Sequence, residues 1–505
     1  MKSLLKTLSF GAAAVIVTVL VVATILENLF GSPFAIENIY HSPWFIALWA
    51  FLAVTATAYI LRTQRRVSLI LLHASFVVVL LGAFVSFLTS KRGDMAISQG
   101  GVPASMFEMS DGTLQKLPFR MQLADVDTKY SDNGTVSGYS VSIMADSTLH
   151  TLSLNTPVKI NGYQFCIKGV NEEGVSLLVS YDPYGRPISY LGYAMVFLSF
   201  LTLFFDRQSG FKALLYKVKA ASKREQRKSS LLLCRAGAGS SARSAVKAEN
   251  GKRKARFTLA FCSECSRGSS TRSVVKGGSG KLVSTSFYLL VLSVFLCILW
   301  YSRGMFSATN GAEALLLLAV VLTLLAVVLK RVGQFVLLSR LLVVVAAMFF
   351  VVAALGLDGD SDVQPILRTP LLSIHVTTII IAYALLACTA VNAVVALYQK
   401  DAKRKAQQAV LGRLLLYPAT MLLATGIFIG AVWANLSWGR YWGWDPKEVW
   451  ALITLLVCSV GFHSHSLRFI SKPVAFHIFC IVAFLAVLFT FFGVNYLLGG
   501  LHSYA

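Results

Sequence analysis

Long apolar runs separated by short polar clusters fill most of the chain. Eleven of them lie at about 9–29, 44–61, 67–89, 188–205, 285–301, 313–329, 336–356, 371–398, 414–433, 449–465 and 473–496. At about 1.5 Å per helical residue, each approaches or exceeds the length needed to cross a hydrocarbon layer of about 30 Å. The stretch 91–186 has a different pattern. There Val175, Leu177, Val179 and Tyr181 alternate with polar residues, as do Phe119, Met121 and Leu123, the period of half-buried strands. Asn133-Gly134, Asn161-Gly162 and Pro183-Tyr184-Gly185 supply turn signals. The pattern predicts a polytopic α-helical membrane protein of about 11 transmembrane helices with one small β-rich domain. A first half, 1–205, holds four spans and the β domain 91–186. A Ser/Gly/Ala-rich linker, 206–284, separates it from a second half of seven spans, 285–505.

Composition agrees, with 56% hydrophobic residues in 505 and a mean hydropathy of +0.67. The net charge of +23 could suggest nucleic acid, but its placement argues otherwise. With the N-terminus inside, 34 of the 46 Lys and Arg fall on inner flanks and four in short outer loops. This orients the β domain outside, making it extracytoplasmic, and leaves the linker in the cytoplasm. Lys2 and Lys6 before an apolar run resemble a signal peptide, yet the run is long and is read as a retained first span. The linker carries 19 Lys and Arg against four acids, and is expected to be a disordered tether touching anionic membrane lipid, with no nucleic acid bound.

Of eight cysteines, Cys166 alone is expected outside, so no intramolecular disulfide forms on the oxidising side. Cys262 and Cys265 form a CxxC within the linker, with no second pair nearby to complete a zinc site.

Five of the eight tryptophans crowd into Trp433–Trp450, reading WANLSWGRYWGWDPKEVW. Gly439, Gly443 and Pro446 interrupt the helix there. An aromatic belt at headgroup level is one reading. The other is a flat aromatic platform in a turn, suited to a large planar apolar ligand with charged edges, haem above all. Asp445 before Pro446 can cap a helix starting near Lys447, with Glu448 in its first turn. Helical rise places His73 about 9 Å from the inner surface, and His463 about 21 Å from the outer one, hence at a similar depth. Intramembrane histidines usually mark a site, and neutral imidazole ligates haem iron well. His465 and His477 are rival inner ligands. His375 lies one turn into its span from the outer side, and His502 follows the last span. His41 and His150 match no motif.

The residues Trp438-Gly439-Arg440-Tyr441-Trp442-Gly443-Trp444-Asp445-Pro446-Lys447-Glu448 closely resemble the "WWD" signature of haem-handling membrane proteins. The end of the β domain, Asn161 to Tyr193, resembles the ResB (CcsB) half of system II cytochrome c synthases. The later spans resemble the CcsA half, so the whole resembles a fused CcsBA chain with a shortened outer domain. This resemblance implies a bacterial cytoplasmic (inner) membrane protein with cytochrome c haem lyase (holocytochrome c synthase) activity. Haem b, in ferrous form, would be its substrate and ligand, and its partner an apocytochrome c bearing a CxxCH motif. An extracytoplasmic thiol reductant is a further expected partner. Haem would bind the inner pair His73 and His463. It would then reach an outer site where His375 and His502 ligate iron, and these two with Trp438, Trp442, Trp444 and Asp445 would carry the attachment. Gly439 would let the backbone approach the ligand, and Arg440 and Lys447 would face the propionates. A haem exporter without ligation and a membrane transporter with a histidine proton relay are the alternatives.

Overall fold

A computed structural model describes residues 1–130, 134, 136–224, 227, 287–298, 301–302, 311–331, 335–355, 365–367, 369–464 and 466–498. His502, His465, Cys234, Cys262 and Cys265 lie outside them. Among the described residues nine helices are long and apolar enough to cross a membrane. The helices are α1 (Lys2–Phe30), α2 (Pro43–Thr63), α3 (Val67–Thr89), α4 (Gly185–Phe205), α5 (Phe287–Ile298), α6 (Gly311–Lys330), α7 (Val336–Leu355), α8 (Pro370–Tyr398), α9 (Ala402–Trp438), α10 (Pro446–Val460) and α11 (Pro473–Leu488). Among the described residues two of the eleven expected spans, α5 and α10, are shorter than the other nine. For α10 the physical length still suffices. Its 15 residues give about 22 Å, and a tighter turn at Gly461–His463 adds about 6 Å.

The expected tether spans 206–284, of which only 206–224 and Arg227 are among the described residues. Residues 210–224 are helical, continuing the line of α4 after a short break at Asp206–Ser209. The reason is packing: Phe211 lies edge-on to Phe204 at 4.6 Å and to Tyr417 of α9 at 5.9 Å. Its Ser/Lys-rich composition continues beyond Arg224, outside the described residues except Arg227.

Strands β1 (Lys91–Ser98), β2 (Ala104–Met109), β3 (Leu114–Tyr130), β4 (Val136–Ala145), β5 (Thr148–Ser153), β6 (Val158–Ile160), β7 (Tyr163–Asn171) and β8 (Gly174–Tyr181) form one antiparallel sheet. Their order is β5-β4-β3-β2-β1-β8-β7-β6. One face carries the expected alternating core, with Phe107, Phe119, Met121, Ile143, Phe165 and Leu177 all buried. The Asn161-Gly162 signal makes the β6–β7 turn. Both residues have positive φ, 49° and 84°, as the tight hairpin turn requires. Pro183-Tyr184-Gly185 instead delivers the chain from β8 into α4.

The membrane helices share an apolar core that mixes both halves. Leu72, Val196 and Phe200 from the first half pack with Leu385, Leu423 and Leu455 from the second. Chain ends of β7 and β8 then meet the segment joining α9 to α10. That junction holds the tryptophan-rich stretch.

Candidate functional site

Gly439 ends α9 in the left-handed region, with φ 69°, and its N–H bonds Asn435 O. A side chain there would be strained and would press on Ser180 Oγ at 3.2 Å. The chain stays irregular until Pro446 opens α10. Asp445 caps that helix, accepting from Lys447 N at 3.1 Å. Glu448 reaches back to accept from Asp445 N and from Gly443 N, at 3.3 and 2.7 Å. Both carboxylates therefore fold the loop, as the proline spacing suggested.

The indoles do not form one flat platform. Trp433 and Trp438 meet edge-to-face at 4.9 Å and 69°, beside Leu367 and Leu372. Trp442 and Trp444 stand at 90° to each other, 5.8 Å apart. Trp444 stacks on Tyr40 at 4.6 Å, and Trp450 packs on Phe489 while donating to Thr24 Oγ1 at 3.2 Å. Trp444 itself has φ 58°, an uncommon backbone conformation for a bulky residue, within the irregular segment between α9 and α10. The indoles thus wall a junction rather than pave a surface.

The second face of the sheet docks on this junction. Arg92, Ser180 and Gln164 stand in register across β1, β8 and β7. Gln164 Nε2 donates to Asn435 O at 2.6 Å, and its Oε1 accepts from Arg186 Nη1 at 2.6 Å. Tyr441 donates to Ser86 Oγ at 2.8 Å and accepts from Ser189 Oγ at 3.1 Å. Ser86 in turn donates to Asp182. Ser437 donates to Asn155, whose Nδ2 donates to Ile366 O. Cys166 is buried in the same seam, and burial pushes its thiol above the usual range, an effect that the Gln164 hydrogen bond opposes. Sequence patterning missed Gln164, Ser180 and Tyr441. Polar positions alternating with a core read as solvated, and only their docking against a distant loop buries them.

His73 of α3 and His463 just beyond α10 lie with ring centroids 6.2 Å apart and planes at 80°. Each Nδ1 donates to the carbonyl four residues earlier, Leu69 O at 2.8 Å and Ser459 O at 2.9 Å. A carbonyl can only accept, so the neutral rings carry the proton on Nδ1 and keep the Nε2 lone pair for a metal. With metal–imidazole bonds of about 2 Å on each side, this separation suits two axial ligands of one iron. Phe10 of α1 meets His463 edge-on at 5.3 Å. The rival His477 is turned elsewhere, its Nε2 donating to Lys405 O at 3.1 Å beneath the Arg413–Phe476 stack.

His375 of α8 faces α9, its Nδ1 donating to Gly426 O at 2.7 Å. The ring fits because residue 430 is glycine: a Cβ there would lie 2.6 Å from it. Lys447, one of the two expected propionate cations, donates to Asn495 Oδ1 beside the Phe491 ring and so ties α10 to the end of the last span. His41 sits in the turn before α2, against Phe87, where burial and the Arg92 charge hold its imidazole below the usual range.

Comparison with known proteins gives two regions of similarity. Residues 308–502 match the Cytochrome C assembly protein family, and residues 62–185 match the ResB-like family. Protein NrfI of Wolinella succinogenes is 48% identical over 84 residues, 17% of this chain and 9% of NrfI. Cytochrome c biogenesis protein CcsA of Chlamydomonas reinhardtii is 33% identical over 235 residues, 43% of this chain and 65% of that protein. CcsA of Solanum lycopersicum is 48% identical over 82 residues, 16% of this chain and 26% of that protein. The matches thus span less than two thirds of each of these relatives.

Proposed function

Because the chain belongs to the cytochrome c biogenesis proteins in which a ResB-like half is fused to a CcsA-like half, we propose that it is a cytochrome c haem lyase. One observation carries this reading. His73 from the first half and His463 from the second converge 6.2 Å apart, with both Nδ1 atoms occupied and both Nε2 atoms left for iron. Haem is the substrate, taken up from the inner side at this pair. It is then held outside beside the tryptophan-walled junction, with His375 and His502 as ligands. The chain sits in a bacterial inner membrane with its N-terminus and linker in the cytoplasm.

In the reaction each thiol of a CxxCH motif adds across a haem vinyl group. A C–S bond forms, the thiol hydrogen passes to the other vinyl carbon, and nothing leaves. The protein's share is positioning and exclusion of water. Trp438, Trp442 and Trp444 confine the ring, Gly439 lets backbone approach, and Asp445 with Glu448 keeps the loop in shape. The substrate's own histidine then replaces one of His375 and His502. Ferrous iron and reduced thiols are required, the latter from an extracytoplasmic reductant.

The test uses the purified full chain. A Soret band with a bis-histidine spectrum, and thioether formation on a CxxCH peptide, are the expected results. A Soret band without thioether would leave a haem exporter or chaperone. No Soret band at all would favour a proton relay through the same histidines.

A further inference from the structure

Three arginines meet the seam around Ser180: Arg92 stands in register with it, Arg186 donates to its Oγ, and Arg440 follows Gly439, where a Cβ would lie 3.2 Å from that Oγ. Arg186 is spent on Gln164 Oε1 at 2.6 Å and Ser180 Oγ at 3.4 Å. Asp182 is spent too, accepting from Ser86 Oγ and from Gly185 N at 3.0 Å. Arg92, in register with Ser180, is different. Its Nε is enclosed and has no hydrogen-bond partner among the described residues, and no ion pair reaches it. The residue as a whole is nonetheless only partly buried. Arg440 approaches from the loop, its guanidinium packed over Gly443, where a Cβ would lie 2.8 Å from Cζ. Burial lowers the pKa of the Arg92 guanidinium; Tyr441 and Asp182 oppose that, while Arg440 and Arg186 add to it. His41 on the adjoining turn is the other titratable group that senses it.

Leaving a cation half-enclosed with two like charges nearby is costly unless an anion joins it. A planar fork of N–H donors fits a carboxylate better than it fits a single point charge. With Lys447 held by Asn495, Arg440 has no lysine to share such a ligand with. We propose that Arg92 of the first half and Arg440 of the second form a carboxylate site at the seam, and that it takes a propionate of the haem held at the tryptophan-walled junction. The proposal rests on the haem reading above. It gives the sheet a direct role in ligand binding, through a residue that the tryptophan-rich motif does not contain.

The experiment compares haem with haem dimethyl ester, whose propionates are uncharged. Both are titrated, by Soret absorbance, into the full chain carrying His73→Ala and His463→Ala, so that the outer site is read. Haem should bind about tenfold more tightly than the ester, the scale of one hydrogen-bonded charge contact. Arg92→Gln should remove that preference by weakening haem alone, and Arg92→Lys should restore part of it. If Arg92→Gln does not fold, Arg440→Gln in the same assay is expected to give the same loss. Unchanged discrimination in these variants overturns the carboxylate site. So does equal weakening of haem and ester, which would make Arg92 a structural residue. A chain that binds neither form before substitution would instead overturn the haem reading itself.

Discussion

Single histidines carry the most legible part of the chemistry. His73 and His463 could be set at one depth by counting, because a helix advances by a fixed rise and the bilayer supplies the ruler. Counting could not choose between His463 and His477. What separates them is the side-chain partner: Ser459 O takes the His463 Nδ1–H, whereas Lys405 O occupies His477 Nε2, the nitrogen needed for a metal. The expected outcome of His73→Ala or His463→Ala is a several-fold drop in haem that copurifies, with partial recovery on adding free imidazole. His477→Ala is expected to leave the haem bound per folded chain largely unchanged, since Lys405 O already engages its Nε2, while loss of the buried ring lowers stability. Absorbance at matched protein concentration checks both. Normal haem in the two first variants would remove the inner pair.

At the scale of elements, the patterns announced the helices and strands but not how they meet. The break after Trp438 was visible as Gly439, and the start of α10 as Asp445-Pro446, since those residues act through their own backbone geometry. The orientation of each indole was not visible. It depends on partners such as Tyr40, 404 residues from Trp444, that no local period encodes. The cap has a measurable weight. Asp445→Ala removes one acceptor at the N-terminus of α10 and should cost about 1 kcal/mol, with Asp445→Asn recovering most of it. In detergent this is read as a lowered unfolding temperature. If the loop positions haem, attachment to a CxxCH substrate should fall further than stability does in Asp445→Ala. A loss of stability with full attachment would make the cap structural only.

Across the whole molecule, the two halves are locked together by polar contacts that the sequence does not announce. Gln164 and Asn435 lie 271 positions apart, and a sheet face that reads as solvent-facing becomes an interface only through that pairing. Cys166 lies in this interface and offers a reporter for both topology and docking. With the orientation read from the Lys and Arg distribution, it is the one cysteine that a membrane-impermeant maleimide should reach from outside. Its burial, and the thiol pushed up by that burial, should make labelling slow near pH 7–8. Because the reactive form is the thiolate, the rate should keep rising beyond the pH at which a free cysteine levels off. Gly439→Val forces a branched residue into the left-handed region and against Ser180 and Cys166. That strain is on the order of 1–2 kcal/mol, enough to raise the open fraction of the seam about tenfold, and labelling with it. The same variant should lose thioether formation, because the loop and the sheet no longer share one geometry. Fast labelling of Cys166 in the unaltered chain would show that the seam is open in the membrane. Labelling only after permeabilisation would invert the orientation of the entire molecule.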